Sequence, residues 1–186
     1  MLQQCPVLED DRLRLVPAEE ALAPRCVEFY IRNRDFLSPF EPKRPPAFFT
    51  LEGQQQVLRQ EQQAAQEQKA CRFYLERKSC PQELIGCIGL NEIVWGAFYN
   101  AFLGYKMDMR CQNNGYMTDA VHLVVQYAFK QLGLHRIEAN IMPRNKASLR
   151  VVEKNGFVSE GLARRYLKIN GVWEDHIHMV KLNEAE

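Results

Sequence analysis

A polar segment between an apolar strand and an amphipathic helix has the composition of an anion-binding site. It lies within residues 107–118 and reads Arg110-Cys111-Gln112-Asn113-Asn114-Gly115-Tyr116-Met117. The first backbone N–H groups of a helix have no partner inside the helix, and with the helix dipole they hold a pyrophosphate without a strongly basic side chain. Gly115 permits a close approach of the backbone to the phosphates. A plain turn followed by a helix cap also fits these residues, so the motif alone leaves both interpretations open.

The elements on either side of this segment follow from the periodicity of the apolar residues. Residues 99–107 are rich in aromatic side chains and predict a strand that leads into the segment. Apolar side chains spaced three and four apart between Val121 and Leu132 predict one apolar stripe along a helix, which we expect to end at Gly133. A strand, a polar loop and a helix N-terminus are therefore expected in direct succession.

Further strands and helices are predicted along the rest of the chain. The predicted strands are 12–16, 72–77, 83–94, 135–141, 157–169 and 172–182, and the predicted helices are 19–34, 51–69 and 145–155. Asn170-Gly171 is typical of the turn of a β-hairpin. A lone strand, an antiparallel meander and then alternation with helices predict a mixed α/β sheet with helices on both faces.

The segment Phe36-Leu37-Ser38-Pro39-Phe40-Glu41-Pro42 predicts an irregular loop, because its prolines interrupt regular structure. Large aromatic side chains on an exposed loop indicate recognition of a partner. Packing of Phe36 and Phe40 onto the core is an equally good interpretation.

Length and charge limit the classes of protein to consider. The 186 residues suit one domain over 1–186. The 24 basic and 23 acidic side chains leave a net charge of +1, which provides no global field for attracting nucleic acid or an anionic membrane. We therefore expect no direct binding of nucleic acid and no membrane partner, and any phosphate recognition must be local.

Cysteine spacing and the N-terminal residues indicate a cytoplasmic location. None of the six cysteines forms a C-x-x-C pair, and most lie in or beside apolar runs, so we expect reduced thiols. Met1 to Asp10 contains no basic segment followed by an apolar stretch, and no window approaches eighteen uninterrupted apolar residues. We expect neither an export signal nor a membrane span.

Two motifs at the proper separation make the sequence resemble the GNAT acetyltransferases. The family's pyrophosphate loop, Gln/Arg-x-x-Gly-x-Gly/Ala, is matched at Gln112 and Gly115. Downstream, residues 145–150 resemble the family's Asn-x-x-Ser helix, and Gly156-Phe157 resembles the Gly-Phe pair that follows this helix in the family. Met117 departs from the pattern, because the family usually has a small residue there and a larger side chain crowds the phosphates.

Within this superfamily the chain is similar to the RimJ and RimL ribosomal-protein acetyltransferases over nearly its whole length. Counterparts include Arg12-Leu13-Arg14-Leu15, the loop 36–42, Leu103-Gly104-Tyr105 and Gly171-x-Trp173-x-Asp175-His176. The resemblance implies a mostly antiparallel GNAT sheet split in a V, acetyl-CoA as donor, and direct transfer to a primary amine in a ternary complex. The implied acceptor is the N-terminal α-amine of a protein, with a ribosomal protein as the leading candidate, and a homodimer stays open.

The resemblance also assigns residues to the donor. The backbone N–H groups of residues 105–107 would point at the acetyl carbonyl, and Asn145 and Ser148 would line the pantetheine arm. The full set of implied donor-binding residues is Tyr105, Lys106, Met107, Met109, Gln112, Asn113, Asn114, Gly115, Tyr116, Met117, Thr118, Asn140, Asn145 and Ser148.

Two hydroxyls are candidates for assisting the departing thiolate. Family position favours Ser148, with Tyr166 second, because a hydroxyl can hydrogen-bond the sulfur. Ser148 could instead bond only to its own helix turn.

A general base is the least determined part of the site. The strand glutamate that some GNAT enzymes use corresponds to Ala101, and the RimL-like carboxylate position holds Arg165. Glu92 is our first choice, acting directly or through water, with Glu138 and Asp175 behind it. A solvated strand glutamate is the competing interpretation of Glu92.

No metal is expected, and two rival functions stay open. His176 and His178 share a strand face, but two histidines without a third ligand do not make a metal site. Within the enzyme interpretation, the alternative acceptors are small amines such as polyamines, amino sugars or amine-bearing drugs. Met117 and the undetermined base also allow a non-catalytic acyl-CoA-binding module, whereas the hydroxyls of Ser148 and Tyr166 favour an enzyme.

Overall fold

Eight strands form one open sheet in the computed structural model, which describes residues 5–185. The strands are β1 (Leu8–Glu9), β2 (Leu13–Pro17), β3 (Cys71–Arg77), β4 (Cys80–Val94), β5 (Asn100–Met107), β6 (Arg136–Ile141), β7 (Val158–Ile169) and β8 (Val172–Leu182). Their order across the sheet is β1-β2-β3-β4-β5-β6-β8-β7. Only β5 and β6 are parallel neighbours in this described sheet. The expected mixed, mostly antiparallel α/β sheet is confirmed.

Five α-helices cover the two faces of the sheet within residues 5–185. They are α1 (Ala23–Arg32), α2 (Arg34–Leu37), α3 (Leu51–Gln66), α4 (Tyr116–Lys130) and α5 (Lys146–Lys154). Short 3-10 turns lie at Glu20–Leu22, Ser38–Phe40, Pro46–Phe49 and Met109–Cys111. None of the helices in this part of the chain combines the length and apolar character that crossing a bilayer requires.

Two apolar cores form because side chains alternate between the faces of each strand. In β3, Phe73 and Leu75 pack in the core beneath α4 and α5, whereas Tyr74 packs on the opposite face with α1 and α3. The stripe of α4 lies in the first of these cores, with Val121 and Val124 fully buried. The expected helices on both faces are confirmed.

Three predicted boundaries are wrong in detail. The helix predicted at 19–34 begins as a 3-10 turn at Glu20 and ends at Arg32, after which α2 starts a new turn. The loop predicted after residue 36 contains helical turns, because prolines at the first positions of a turn do not interrupt its hydrogen bonds. The helix starting at Leu51 ends at Gln66, three residues earlier than predicted.

One cysteine pair contradicts the expectation that all thiols are reduced. Cys5 is bonded to Cys71 at the start of β3, with 6.2 Å between the Cα atoms. The pairing joins residues 66 positions apart, so no local spacing pattern could reveal it. Cys26, Cys80, Cys87 and Cys111 are free thiols. The first four residues of the segment Met1 to Asp10, where no export signal is expected, lie outside the described residues.

The hairpin predicted at Asn170-Gly171 is confirmed. Asn170 and Gly171 have φ values of 43° and 89°, and two consecutive positive φ values are what a tight hairpin turn between twisted strands requires. The turn joins β7 to β8, which places β8 against β6 and β7 at the sheet edge.

Candidate active site

β5 and β6 pair over only three residues and then separate. The paired residues are 100–102 of β5 and 136–138 of β6. Beyond them β5 stays with β4 as far as Met107, and β6 stays with β8 as far as Ile141. Every second backbone N–H of residues 103–107 therefore points into the gap between the two strands. Because backbone N–H groups need partners, this gap is a natural place for an acyl carbonyl and an extended arm.

The polar segment after β5 forms an uncapped helix N-terminus. Gly115 is the N-cap of α4, with φ 78°, and no side chain caps the helix there. Asn113 also has a positive φ, and the Asn114 side-chain amide donates to the carbonyl of Gln112 (2.9 Å), which holds the turn. The N–H groups of the first turn, from Tyr116 on, are left for a ligand. This geometry suits the expected anion site, which stays a prediction.

Met117 packs beneath the helix and away from the loop. Its side chain is 6% exposed and belongs to the core under α4. Crowding of the phosphates by this side chain, expected from the motif, is therefore not seen. The carbonyl of Thr118 accepts a hydrogen bond from the Asn155 side chain (3.2 Å), which ties the start of α4 to the end of α5.

Arg12 is a residue of this site that sequence reasoning missed. Its guanidinium donates to the carbonyl of Asn114 (3.1 Å), forms an ion pair with Asp119, and lies over the ring of Tyr116. Arg12 stands about a hundred positions before the loop, so only the register of β2 brings the two together. It supplies positive charge beside an anion site whose own loop has little.

A buried carboxylate anchors the start of the loop. Asp108 is 0% exposed and accepts hydrogen bonds from Arg32 (2.7 Å), Asn33 (3.2 Å) and Arg110. Burial alone would raise the pKa of Asp108, but these hydrogen bonds outweigh it and hold the pKa well below its usual range. The N–H of Met109 donates to Asn33 Oδ1 (2.9 Å), so this N–H already has a protein partner.

Ser148 and Tyr105 form a hydrogen-bonded pair across the gap. Ser148 Oγ donates to Tyr105 Oη (2.8 Å), and Tyr105 Oη donates to the carbonyl of Ser148 (2.8 Å). Asn145 caps α5 by accepting from the N–H of Ser148 (3.2 Å). The Ser148 hydroxyl is therefore directed to β5 and not to its own helix turn. Burial raises the pKa of Tyr105, so its phenol is protonated at neutral pH.

Tyr166 lies on the opposite face of the sheet. The β7–β8 register breaks between Ala163 and Leu167, with Arg165 at φ 48°, and such a bulge redirects the side chains beside it. Tyr166 Oη accepts from Asn140 Nδ2 (3.2 Å). Burial raises the pKa of Tyr166, and the carboxylates Glu138 and Glu92 raise it further. Because neighbouring residues of a strand face opposite sides, Asn140 and Tyr166 are separated from the Ser148–Tyr105 pair by the sheet.

The three candidate bases have different surroundings. Glu92 is exposed at a break in the β4–β5 register, with φ 48°. Glu138 is 8% exposed and bonded to His178 (2.9 Å) and Arg136 (3.0 Å). Asp175 accepts from the N–H of Arg165 (2.8 Å) and so supports the bulge. Their catalytic roles stay predictions.

The proline-containing loop 36–42 is fixed beside the Tyr166 face of the gap. Glu41 forms an ion pair with Lys106 of β5, and its carbonyl accepts from the N–H of Asn170 (2.9 Å). Arg144 donates to the carbonyl of Pro39 (2.8 Å) and lies over the ring of Phe40. Phe36 packs against the core of α1 and α3. Core packing therefore describes Phe36, whereas recognition of a partner by this loop stays a prediction.

Comparison with known proteins decides the family. Residues 12–158 match the family model described as an acetyltransferase (GNAT) domain. The chain belongs to the GNAT acetyltransferase family. It is 41% identical to the probable N-acetyltransferase YjcK of Bacillus subtilis, over 95% of this chain and 97% of that protein.

Two further relatives carry the names of ribosomal-protein acetyltransferases. The [ribosomal protein uS5]-alanine N-acetyltransferase of Escherichia coli is 34% identical over 91% of this chain and 87% of that one. The structure of ribosomal-protein-S5-alanine acetyltransferase from Vibrio fischeri superposes with a TM-score of 0.91 at 36% identity, covering 97% of this chain and 98% of that one. The expected RimJ/RimL-like resemblance is confirmed.

This protein is an acetyl-CoA-dependent N-acetyltransferase, and acetyl-CoA is its cosubstrate. Among residues 5–185, no group of three or more His, Cys, Asp or Glu side chains is arranged to hold a metal ion. The gap between β5 and β6, the uncapped start of α4 and the two hydroxyl groups are the parts of this fold that suit the expected site.

Substituting Gly115 tests where the pyrophosphate lies. In Gly115→Val, a branched side chain is forced into a backbone with φ 78° beside the expected phosphates. We expect acetyl-CoA to bind at least tenfold more weakly in calorimetry, about 1.4 kcal/mol. Gly133→Val is the matched control, because Gly133 also has a positive φ but lies beyond the other end of α4. A folded Gly115→Val protein with unchanged affinity would refute this placement.

Asp108→Asn tests the anchor of the loop. The variant leaves Arg32 and Arg110 facing a neutral amide, so we expect unfolding to cost about 3 kcal/mol less at pH 7. Because folding lowers the pKa of Asp108, its contribution is complete above the ordinary aspartate pKa of about 3.9 and is lost as the pH falls further. Urea unfolding from pH 3 to pH 7 measures this. Glu67→Gln, at an exposed ion pair, should change little, and an equal effect of both variants would contradict the account.

Proposed function

We propose that the enzyme transfers the acetyl group of acetyl-CoA to the N-terminal α-amine of a protein, with ribosomal proteins as the leading acceptor class. The observation that carries the proposal is the gap between β5 and β6, which has different chemistry at its two faces. One face offers a helix N-terminus and a hydroxyl pair. The other offers carboxylates, an imidazole and an anchored loop.

The donor side has the parts that a long phosphorylated thioester needs. The uncapped start of α4 suits the pyrophosphate, and Gln112 to Thr118 present their backbone to it. Asn145 and Ser148, at the start of α5, suit the pantetheine arm as it runs to the gap. The backbone N–H groups of residues 105–107 suit the oxyanion that forms when the carbonyl is attacked.

The acceptor side favours a cationic group at the end of an extended chain. Glu92 offers an exposed carboxylate at this face, and opposite charge attracts an ammonium group. Glu138 and Glu41 lie nearby in ion pairs with Arg136 and Lys106. The anchored loop 36–42 suits one flank of a peptide, with the half-buried ring of Phe40 beside it. Relatives whose names specify ribosomal protein uS5 and alanine support a peptide that begins with alanine.

The chemistry requires three events around one carbonyl carbon. The amine nitrogen attacks as its neutral form, the carbonyl oxygen becomes an oxyanion, and the C–S bond breaks to release the CoA thiolate. Ser148 is our first candidate to hydrogen-bond the sulfur, because its hydroxyl lies at the donor face of the gap and can turn its hydrogen from Tyr105 to the sulfur. Tyr166 is the second candidate, from the acceptor face.

Three further elements belong to the proposal. We treat residues 1–186 as one domain, place the enzyme in the cytoplasm where ribosomal proteins are made, and leave a homodimer open. The Cys5–Cys71 bond is the observation that opposes a cytoplasmic location, because disulfides are rare in that compartment. Small amines stay the alternative acceptors.

Removing each hydroxyl separates the two candidates for the leaving group. Ser148→Ala and Tyr166→Phe each delete one hydroxyl donor. The substitution that removes the hydroxyl bonded to the sulfur should lower kcat by about fivefold, which corresponds to the free energy of one hydrogen bond. The KM for acetyl-CoA should change less than kcat. Tyr99→Phe, at an exposed tyrosine outside the gap, is the control. If neither hydroxyl variant slows turnover, assistance to the thiolate must be dropped.

A peptide panel tests the acceptor class. We expect acetylation of an alanine-first peptide when its lysine is blocked and none when its α-amine is blocked. At pH 7 about one α-amine in ten is neutral against about one lysine in a few thousand, a difference of about 3 kcal/mol. Mass spectrometry from pH 6 to pH 9 makes the comparison. Acetylation confined to lysine, or to small non-peptide amines, would defeat the proposal.

A further inference from the structure

Two buried side-chain atoms that can accept hydrogen bonds have no partner, and both lie on the face proposed for the amine substrate. They are Asn140 Oδ1 on β6 and His178 Nε2 on β8. The two residues are directly paired across the antiparallel strands β6 and β8. Their side chains therefore project from the same face of the sheet, with Cβ atoms about 5 Å apart. A buried polar atom without a partner is uncommon and costs stability. Two such atoms side by side indicate a ligand that donates to both.

The hydrogen bonds of the other side-chain atoms determine that both orphaned atoms are acceptors. His178 Nδ1 lies 2.9 Å from Glu138 Oε1, and an ionised carboxylate only accepts, so Nδ1 carries the proton. A neutral imidazole then has its lone pair on Nε2. Asn140 donates through Nδ2 to Tyr166, which leaves its Oδ1 as an acceptor. The matching ligand group has at least two N–H donors, as an ammonium group does.

We infer that Asn140 Oδ1 and His178 Nε2 receive the ammonium group of the acceptor, and that His178 removes its proton while Glu138 holds the imidazole in place. This inference rests on the proposed function. The ammonium gives one proton to Nε2, and the neutral nitrogen attacks the acetyl carbon. As the C–N bond forms and the C–S bond breaks, the second proton leaves the nitrogen for the thiolate. The products are the amide and CoA thiol, and the imidazolium releases its proton to solvent.

Charged groups from each neighbouring strand surround this imidazole. Glu138 of β6 is bonded to the imidazole, and Arg136 of β6 is bonded to Glu138. Glu160 of β7 is bonded to Arg136 (2.6 Å). His176, two residues away on β8, is buried, and burial lowers its pKa, so it stays neutral at pH 7. Glu138 therefore holds the ring through Nδ1, and Arg136 in turn holds Glu138 and Glu160.

Tyr166 controls access to both orphaned atoms. Its ring centroid lies 4.8 Å from that of His178, and its hydroxyl accepts from Asn140. Tyr166 is only partly buried and projects from the β7 bulge. Rotation of this one side chain therefore opens the pair of acceptors to the gap.

Kinetics of His178→Asn test the inference. The asparagine amide keeps a donor for Glu138 but supplies no base. We expect kcat with an alanine-first peptide to fall about a hundredfold at pH 7, with the KM for acetyl-CoA changed less than twofold. The loss should shrink toward pH 9, where more of the amine is already neutral. A structural role would not produce this dependence on pH. His122→Asn, at an exposed histidine of α4, should behave as the wild type.

Glu138→Gln tests the positioning role separately and covers the case in which His178→Asn does not fold. The amide oxygen still accepts from Nδ1 but carries no charge, so we expect kcat to fall about tenfold, less than for loss of the base. In the folded wild-type enzyme, the nitrogen-15 resonance of His178 Nε2 should also shift when the alanine-first peptide is added with CoA. That readout does not depend on turnover.

The outcomes separate this inference from the proposed function. If the wild type acetylates the peptide α-amine while His178→Asn keeps its kcat and pH profile, the inference is overturned, the proposed function stands, and Glu92→Gln becomes the next test. A His178 Nε2 resonance that does not shift when the peptide is added also contradicts the inference. If the wild type acetylates only small amines, the proposed function fails, and the same variants measured with that amine decide the role of His178.

Discussion

The separation of β5 from β6 is the constraint on which the rest of the structure depends. Backbone groups that leave a sheet ladder must find other partners, and the strands part after three pairs. β6 is held away by its pairing with β8, and β5 by its pairing with β4. The hydrogen bonds between Tyr105 and Ser148 fasten α5 over the resulting gap. The fold thus keeps a set of backbone donors available for a substrate.

Alternation along the strands gives the two mouths of the gap different chemistry. Odd-numbered residues of β6 join the core beneath α4 and α5, while Glu138 and Asn140 face the other way. Under the proposed function, a donor with phosphates and an acceptor with a positive charge would meet from opposite sides of one sheet. The buried Asp108 connects these sides, because Arg32 of α1 and Arg110 of the segment after β5 both donate to it.

Sequence reasoning succeeded where the signal is local. The stripe of α4, the turn at Asn170-Gly171 and the helix start at Gly115 each depend on residues a few positions apart. It failed where the contact depends on tertiary structure. Arg12 at the loop and the Cys5–Cys71 bond need the strand register before they can be inferred.

The positions of the candidate catalytic side chains and their neighbours follow the same division. The motif 145–150 placed Ser148 correctly at the start of α5, because a helix cap and its hydroxyl are close in sequence. The bulges at Glu92 and Arg165 could not be predicted, since a break in register depends on the neighbouring strand. The partnership of Glu138 with His178 joins strands that are 40 residues apart and was likewise out of reach.

A crystal structure with a bisubstrate analogue tests the central claim most directly. In this compound the sulfur of CoA is joined through an acetyl group to the α-amine of an alanine-first peptide. We expect the acyl group between β5 and β6, the pyrophosphate at the start of α4, and the peptide on the opposite face beside Asn140 and Tyr166. A complex with both halves on one face of the sheet, or with the phosphates away from α4, would contradict it.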